Sequence, residues 1–199
     1  MWLPFVFSSG WTSGVNAYMT VLQLGLLGRF LDADAVPDAL TRTDVLIAAA
    51  VMYVIEFVTD KIPYVDSMWD TIHTFIRPAV GVALGLLATG DADTLSQALA
   101  GATGGVTAFA SHVVKASARL VVNTSPEPVT NITVSLGEDL TVGALVAVVV
   151  VAPWVAATIA AVLLVIGIAI VWAVQKRIRA ALRSFRRRRQ ARAARAAPP

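Results

Sequence analysis

The chain contains no cysteine, which excludes disulfides, thiolate metal sites and cysteine nucleophiles. Charge is scarce as well: Asp, Glu, Lys and Arg make up 15% of the residues, against about 25% in an ordinary soluble domain. Only two histidines occur, and there is no G-x-S-x-G, H-E-x-x-H or phosphate-loop motif, so the chain is not expected to be an enzyme and no cofactor is expected. Basic residues are rare outside one segment. Ten of the 16 Lys and Arg lie in residues 176–199, which hold no acid; the rest of the chain sets six bases against 13 acids. What is abundant is apolar surface, at 57% of residues with a mean hydropathy of +0.71. That composition excludes disorder and a typical soluble domain and points to an integral membrane protein.

A membrane-crossing helix needs about 20 mostly apolar residues. Residues 10–31, 44–59, 72–89 and 95–122 supply four candidates. The apolar stretch 140–174 is 35 residues long, about 52 Å as one helix, too long for a ~30 Å core without strong tilt. Pro153 interrupts it, so the reading is two helices meeting at Ala152-Pro153-Trp154; one long kinked helix is the alternative. Residues 1–9 carry no base, so a cleaved signal peptide is not expected. Six spans place both termini in the cytoplasm. Lys61, Arg77, Lys115, Arg119 and the ten tail bases then lie inside, with only Arg29 and Arg42 outside, in keeping with the positive-inside rule. A five-span reading would put the N-terminus outside.

Residues 10–20 align with residues 101–111. Gly10/Gly101, Thr12/Thr103, Gly14/Gly105, Val15/Val106 and Ala17/Ala108 are identical, and Asn16/Thr107, Tyr18/Phe109 and Thr20/Ser111 keep their chemical type. This predicts a duplicated three-helix unit, with halves at about 10–90 and 101–175. An odd number of spans per unit inverts the second copy, as in many secondary transporters. In such folds the site lies where the copies meet, which nominates Asn16, Thr20, Thr107 and Ser111. The competing account is that the glycines serve close helix packing and the hydroxyls bond nearby backbone.

Ionisable groups are costly in a membrane and each needs an explanation. Glu56 and Asp60 share a helix face, and Lys61 follows. Asp66, Asp70, His73 and Arg77, spaced four, three and four, form one stripe between Pro63 and Pro78, which reads as a short amphipathic helix at the inner face. His112, Lys115 and Arg119 form a cationic stripe on the fourth span. Mutual neutralisation of first-half acids by second-half bases is the structural expectation. A cation or proton path through Glu56, Asp60, Asp66, Asp70, His73 and His112 is the functional one. No tight metal-ligand motif is present. Glu138 and Asp139 are expected to cap the fifth helix. The polar segment 123–131 reads as an inside loop, which makes modification of its two sequons, at Asn123 and Asn131, not expected. The basic tail, 176–199, reads as a topology anchor on anionic lipid headgroups, disordered at its end, with no nucleic acid expected.

The segments Ser13-Gly-Val-Asn-Ala-Tyr18, Leu24-Gly-Leu-Leu-Gly-Arg29, Glu56-Phe-Val-Thr-Asp-Lys-Ile-Pro63, Asp66-Ser-Met-Trp-Asp-Thr-Ile-His73 and Asn123-Thr-Ser-Pro-Glu-Pro128 together resemble the bacterial membrane family called domain of unknown function 4126. The resemblance covers roughly residues 10–174. It implies an integral protein of the bacterial inner membrane and carries over no functional residue. A weaker likeness is to three-plus-three cation transporters with an E-x-G-D-K-[ST] motif; Glu56 to Lys61 has one extra residue between the acids and lacks the Gly. The expectation is therefore an all-α, multi-pass transmembrane bundle over 1–175 with a basic tail. Its function is that of a small transporter or channel for an ion or small solute, or else a non-transporting scaffold for lipids, proteins or a second copy of the chain.

Overall fold

The computed structural model describes residues 2–31, 33–123 and 128–196. Its helices are α1 (Leu3–Val15), α2 (Ala17–Leu31), α3 (Asp38–Thr41), α4 (Thr43–Thr59), α5 (Val65–Thr89), α6 (Thr94–Val122), α7 (Pro128–Val151) and α8 (Pro153–Ala196), with no strand among the described residues. Local chemistry sets the breaks. Asn16 adopts an extended conformation (φ −147°, ψ 100°) that ends α1. Its side-chain oxygen accepts from Met19 N–H at 2.9 Å, capping the start of α2. Gly90, at φ 50°, closes α5 as glycine readily can. Asp93 caps α6 by accepting from Ser96 N–H. Pro153 opens α8 one residue after α7 ends, where its missing N–H is no loss.

Contacts between helices fix their directions. Gly10 of α1 lies against Gly104 of α6, and Gly14 lies against Ala108 and Ser111, so α1 and α6 run in the same sense. Gly81 meets Gly104 and Gly85 meets Ala100, so α5 runs the other way. Asn16 touches Asp139 and Gln23 donates to the Gly143 carbonyl, so α2 descends alongside α7. Asn131 of α7 bonds Arg119 of α6 and Glu138 lies 3.6 Å from Lys115, so α7 opposes α6 and α1. The chain therefore climbs through α1, turns at Asn16 and descends through α2. It climbs again in α4, descends in α5, climbs in α6, descends in α7 and climbs in α8. Trp2 and Phe5 share a cavity with Asp34, Ala35, Ala88 and Pro153, so both ends of the α1–α2 hairpin sit at the end of the bundle away from the tail.

Several expectations are corrected by this arrangement. Residues 10–31 are not one span but parts of two half-length helices. The aligned segments of α1 and α6 are parallel neighbours, which an inverted duplication does not produce, and the tail and the start of α1 lie at opposite ends. No charge in residues 1–9 could have revealed this. The stripe from Asp66 to Arg77 is no surface helix: it is the first half of α5, and all four members are buried. Glu138 and Asp139 are not at a helix start, because α7 begins ten residues earlier, at Pro128. Asn123 and Asn131 are buried in the interior, and Asn131 lies within α7 rather than in a loop; residues 124–127 of that segment lie outside the described residues. The tail continues α8 as helix to Ala196, consistent with its Ala, Arg and Gln content; residues 197–199 lie outside the described residues. The break at Pro153 is as expected.

Three helical segments, Val65–Thr89, Val129–Val151 and Pro153–Ala180, are long and apolar enough to cross a membrane, and Ala17–Leu31 is a shorter apolar helix. Large apolar side chains face outward, among them Ile47, Val54, Phe75, Val106, Val165 and Ile170, as lipid-facing residues do. α1 is the central helix, with eleven of its residues buried.

Candidate functional site

The hairpin tip lies inside the bundle, and that creates an electrostatic problem. The last carbonyls of α1 have no partner within their helix and form the negative end of its dipole. Donors from two other helices meet them. Lys115 Nζ donates to the Val15 carbonyl at 3.0 Å and Arg77 Nη1 to Gly14 at 3.4 Å; one turn earlier Ser111 Oγ adds a second bond to the Trp11 carbonyl at 2.9 Å. Asn16 Nδ2 donates to Asp139 Oδ1 at 3.2 Å. Cations at the C-terminus and an amide at the turn thus hold a helix end that water would otherwise solvate.

The same cations carry a buried ion network. Arg77 pairs with Glu56 at 2.6 Å and with Asp70 at 3.0 Å. Lys115 pairs with Asp60 at 2.6 Å. Arg119 pairs with Glu138 at 2.5 Å and lies 3.6 Å from Asp66. Lys61 lies 3.7 Å from Asp139. Arg77 and Arg119 are fully buried, as are Glu56 and Asp66. Asparagines complete the cluster: Asn123 donates to both Asp66 oxygens, at 2.8 and 3.1 Å, and Asn131 accepts from Arg119 and donates to the Asp60 carbonyl. The network thus joins six carboxylates, Glu56, Asp60, Asp66, Asp70, Glu138 and Asp139, to four cations, Lys61, Arg77, Lys115 and Arg119. Glu56 Oε2 and Asp60 Oδ1 are buried without a hydrogen-bond donor.

The two histidines have assigned hydrogens by simple bookkeeping of donors. Arginine only donates, so the 2.8 Å contact from Arg77 makes His112 Nδ1 an acceptor. His112 is therefore neutral, and its Nε2–H donates to Thr74 Oγ1 at 3.1 Å. His73 Nδ1 donates to the Trp69 carbonyl at 2.8 Å, and its Nε2 is hydrogen-bonded with the Tyr18 hydroxyl at 3.0 Å. Each ring is thus held at both nitrogens.

The nominated residues thus divide. Glu56, Asp60, Asp66, Asp70, His73 and His112 converge with Lys61, Arg77, Lys115 and Arg119, as does Asn16. Thr20 and Thr107 do not: each hydroxyl donates to a carbonyl in its own segment, Asn16 and Thr103. Glu138, Asp139, Asn123, Asn131, Ser135 and Tyr18 belong to the network, yet sequence reading missed them. The i, i+4, i+7, i+8 spacing of Asn131, Ser135, Glu138 and Asp139 was the available signal. Among the described residues no three His, Asp or Glu side chains gather as a metal-ligand set, because cations sit between the acids.

A cavity of about 420 Å³ opens beside the network between α1, α6, α7 and α8, with Trp11, Ser111, Lys115, Glu138, Thr141 and Leu163 on its walls. It brings space to one ion pair of the cluster, Lys115 with Glu138, 3.6 Å apart.

A family model described as Domain of unknown function (DUF4126) matches residues 3–173, which is the whole bundle without the tail, and the chain belongs to that family. No curated protein and no solved structure matches it.

Proposed function

Starting from a family whose activity is open, we propose that the protein is a small membrane transporter that moves protons, alone or with a small solute, through the charged interior beside the α1–α2 hairpin. In this reading α4 to α8 cross the bilayer. The hairpin enters from the side opposite the basic tail, and the tail lies in the cytoplasm of a bacterial cell, against the inner membrane. One observation carries the proposal: six carboxylates, five of them buried, share a cluster with four cations, three of them buried. A buried surplus of negative charge is expensive, and taking up a proton or a cation relieves it. Helices that end within a bundle are the usual setting of transport sites, and the 420 Å³ cavity gives the cluster an approach.

The test is proton flux in liposomes containing the purified protein and an internal pH-sensitive dye, driven by a potassium diffusion potential. Wild type should collapse the imposed gradient, and Asp139→Asn and Glu56→Gln should slow it by an order of magnitude or more. Proton flux no faster than in empty liposomes, with and without added small solutes, contradicts the proposal. A second reading, a non-transporting scaffold, draws on the fact that each of the four cations is ion-paired. It expects these variants to alter folding and nothing else.

A further inference from the structure

α8 comes close to α6 at Gly167, where a Cβ would press on Val114. Towards the tail the two helices part. Between them runs a groove of about 430 Å³ whose walls, Ala118, Leu120, Val122, Ile170, Val174 and Ile178 among them, are almost wholly apolar. Its only polar lining groups are Ser117 and, near the end towards the tail, Gln175.

The upper mouth has a distinct chemistry. Gln175, Arg179 and Arg183 follow one another at spacings of four on α8, so they share one helix face, and all three are exposed. One turn below, Lys176 lies over the Trp172 ring at 5.0 Å, the aromatic-and-cation pairing found at the level of lipid headgroups. An apolar slot that runs into a positive rim fits an amphiphile with an anionic head.

We infer that the α6–α8 groove is a binding site for a phospholipid with an anionic headgroup. One acyl chain lies in the groove, and the phosphate sits against Arg179 and Arg183. The inference stands apart from the transport reading, because none of these residues belongs to the ion network. Its physical basis is charge complementarity at the rim together with removal of the chain from the disordered bilayer into a preformed slot.

The test uses phosphatidylglycerol and phosphatidylcholine that carry the same photoactivatable acyl chain, each mixed into vesicles with the full-length protein. Labelled peptides are mapped by mass spectrometry. Phosphatidylglycerol should label residues 114–122 and 167–178 several-fold more than the exposed face of α4 around Ile47, Val54 and Val58, and several-fold more than phosphatidylcholine does. Arg179→Gln with Arg183→Gln should bring the groove labelling down to the phosphatidylcholine level and leave α4 unchanged. Both side chains are exposed, and an unchanged helical circular dichroism signal checks that the variant folds. Even labelling of α4 and the groove, equal labelling by the two lipids, an unaltered pattern in the charge variant, or a groove shielded from both lipids by a second copy each overturns the inference.

Discussion

The interior of the bundle is built in two ways along the same helices. On α5 the inward face reads Asp66, Asp70, His73 and Arg77 towards the tail, then Gly81, Leu84 and Gly85 away from it. On α6 the matching face reads Ala100, Gly101, Gly104 and Ala108, then Ser111, His112, Lys115 and Arg119. One end is held by ion pairs across the gap. The other is held by backbones that touch, because Gly81 and Gly104 leave no room for a Cβ between them. The difference follows from what each end must accommodate. The glycine end packs α1 while it is still a regular helix. The charged end receives α1 where it stops, and its open carbonyls require donors.

The largest effect is expected where a single cation serves both roles. Arg77→Leu leaves Glu56 and Asp70 buried without their partner and should cost about 3–5 kcal/mol, seen as loss of the monodisperse peak and of the unfolding transition in detergent. Charge reversal gives a sharper version. Asp66→Arg alone should be as damaging, and adding Arg119→Asp should restore part of the loss, with a coupling of about 0.5–3 kcal/mol in a double-mutant cycle. Absence of rescue would break the pairing account at that position. At the other end, Gly81→Leu forces a side chain into the Gly104 carbonyl and should cost about 1–3 kcal/mol; an unchanged midpoint would show that α5 and α6 can separate cheaply.

The smallest effect belongs outside the comparison, at Asp93. Hydrogen bonds from Ser96 side chain and backbone hold its carboxyl below the usual carboxylate range. A lowered folded value means that the cap's contribution is full above the unfolded value of about 3.9 and fades as pH falls through the lower folded one. Asp93→Ala should lower the melting temperature slightly at neutral pH and no longer do so in strong acid.

Much of this architecture was readable from residues alone. The charged stripes on α5 and α6 and the break at Pro153 follow from spacing and from the cost of charge in lipid; the pairing crosses the halves at Lys115 with Asp60 and Arg119 with Asp66, whereas Arg77 pairs with Glu56 and Asp70 of its own half. The glycine matches at 10, 14, 101 and 105 were also visible, but they pointed to the wrong relation. Their use is packing: Gly10 and Gly14 rest on α6, while Gly101 and Gly105 face Val82 and Leu86 of α5. The turn at Asn16 was hidden because an asparagine amid apolar residues reads equally well as a polar group within a span. Its capping of Met19 and its bond to Asp139, 123 residues away, are tertiary facts. Glu138 and Asp139 were misplaced for a related reason: the apolar run began after them, although the helix did not.

The central claim is that the chain turns back inside the bundle at Asn16, so that α1 and α2 enter and leave on one side. The absence of cysteine makes single-cysteine labelling clean. Leu3→Cys, Ala35→Cys, Ala92→Cys and Ala180→Cys would each be treated with a membrane-impermeant maleimide in sealed vesicles of known orientation. The account predicts that positions 3, 35 and 92 label together from one side and position 180 from the other. Labelling of position 3 from the same side as position 180 would show that residues 3–31 cross the membrane, and would contradict it.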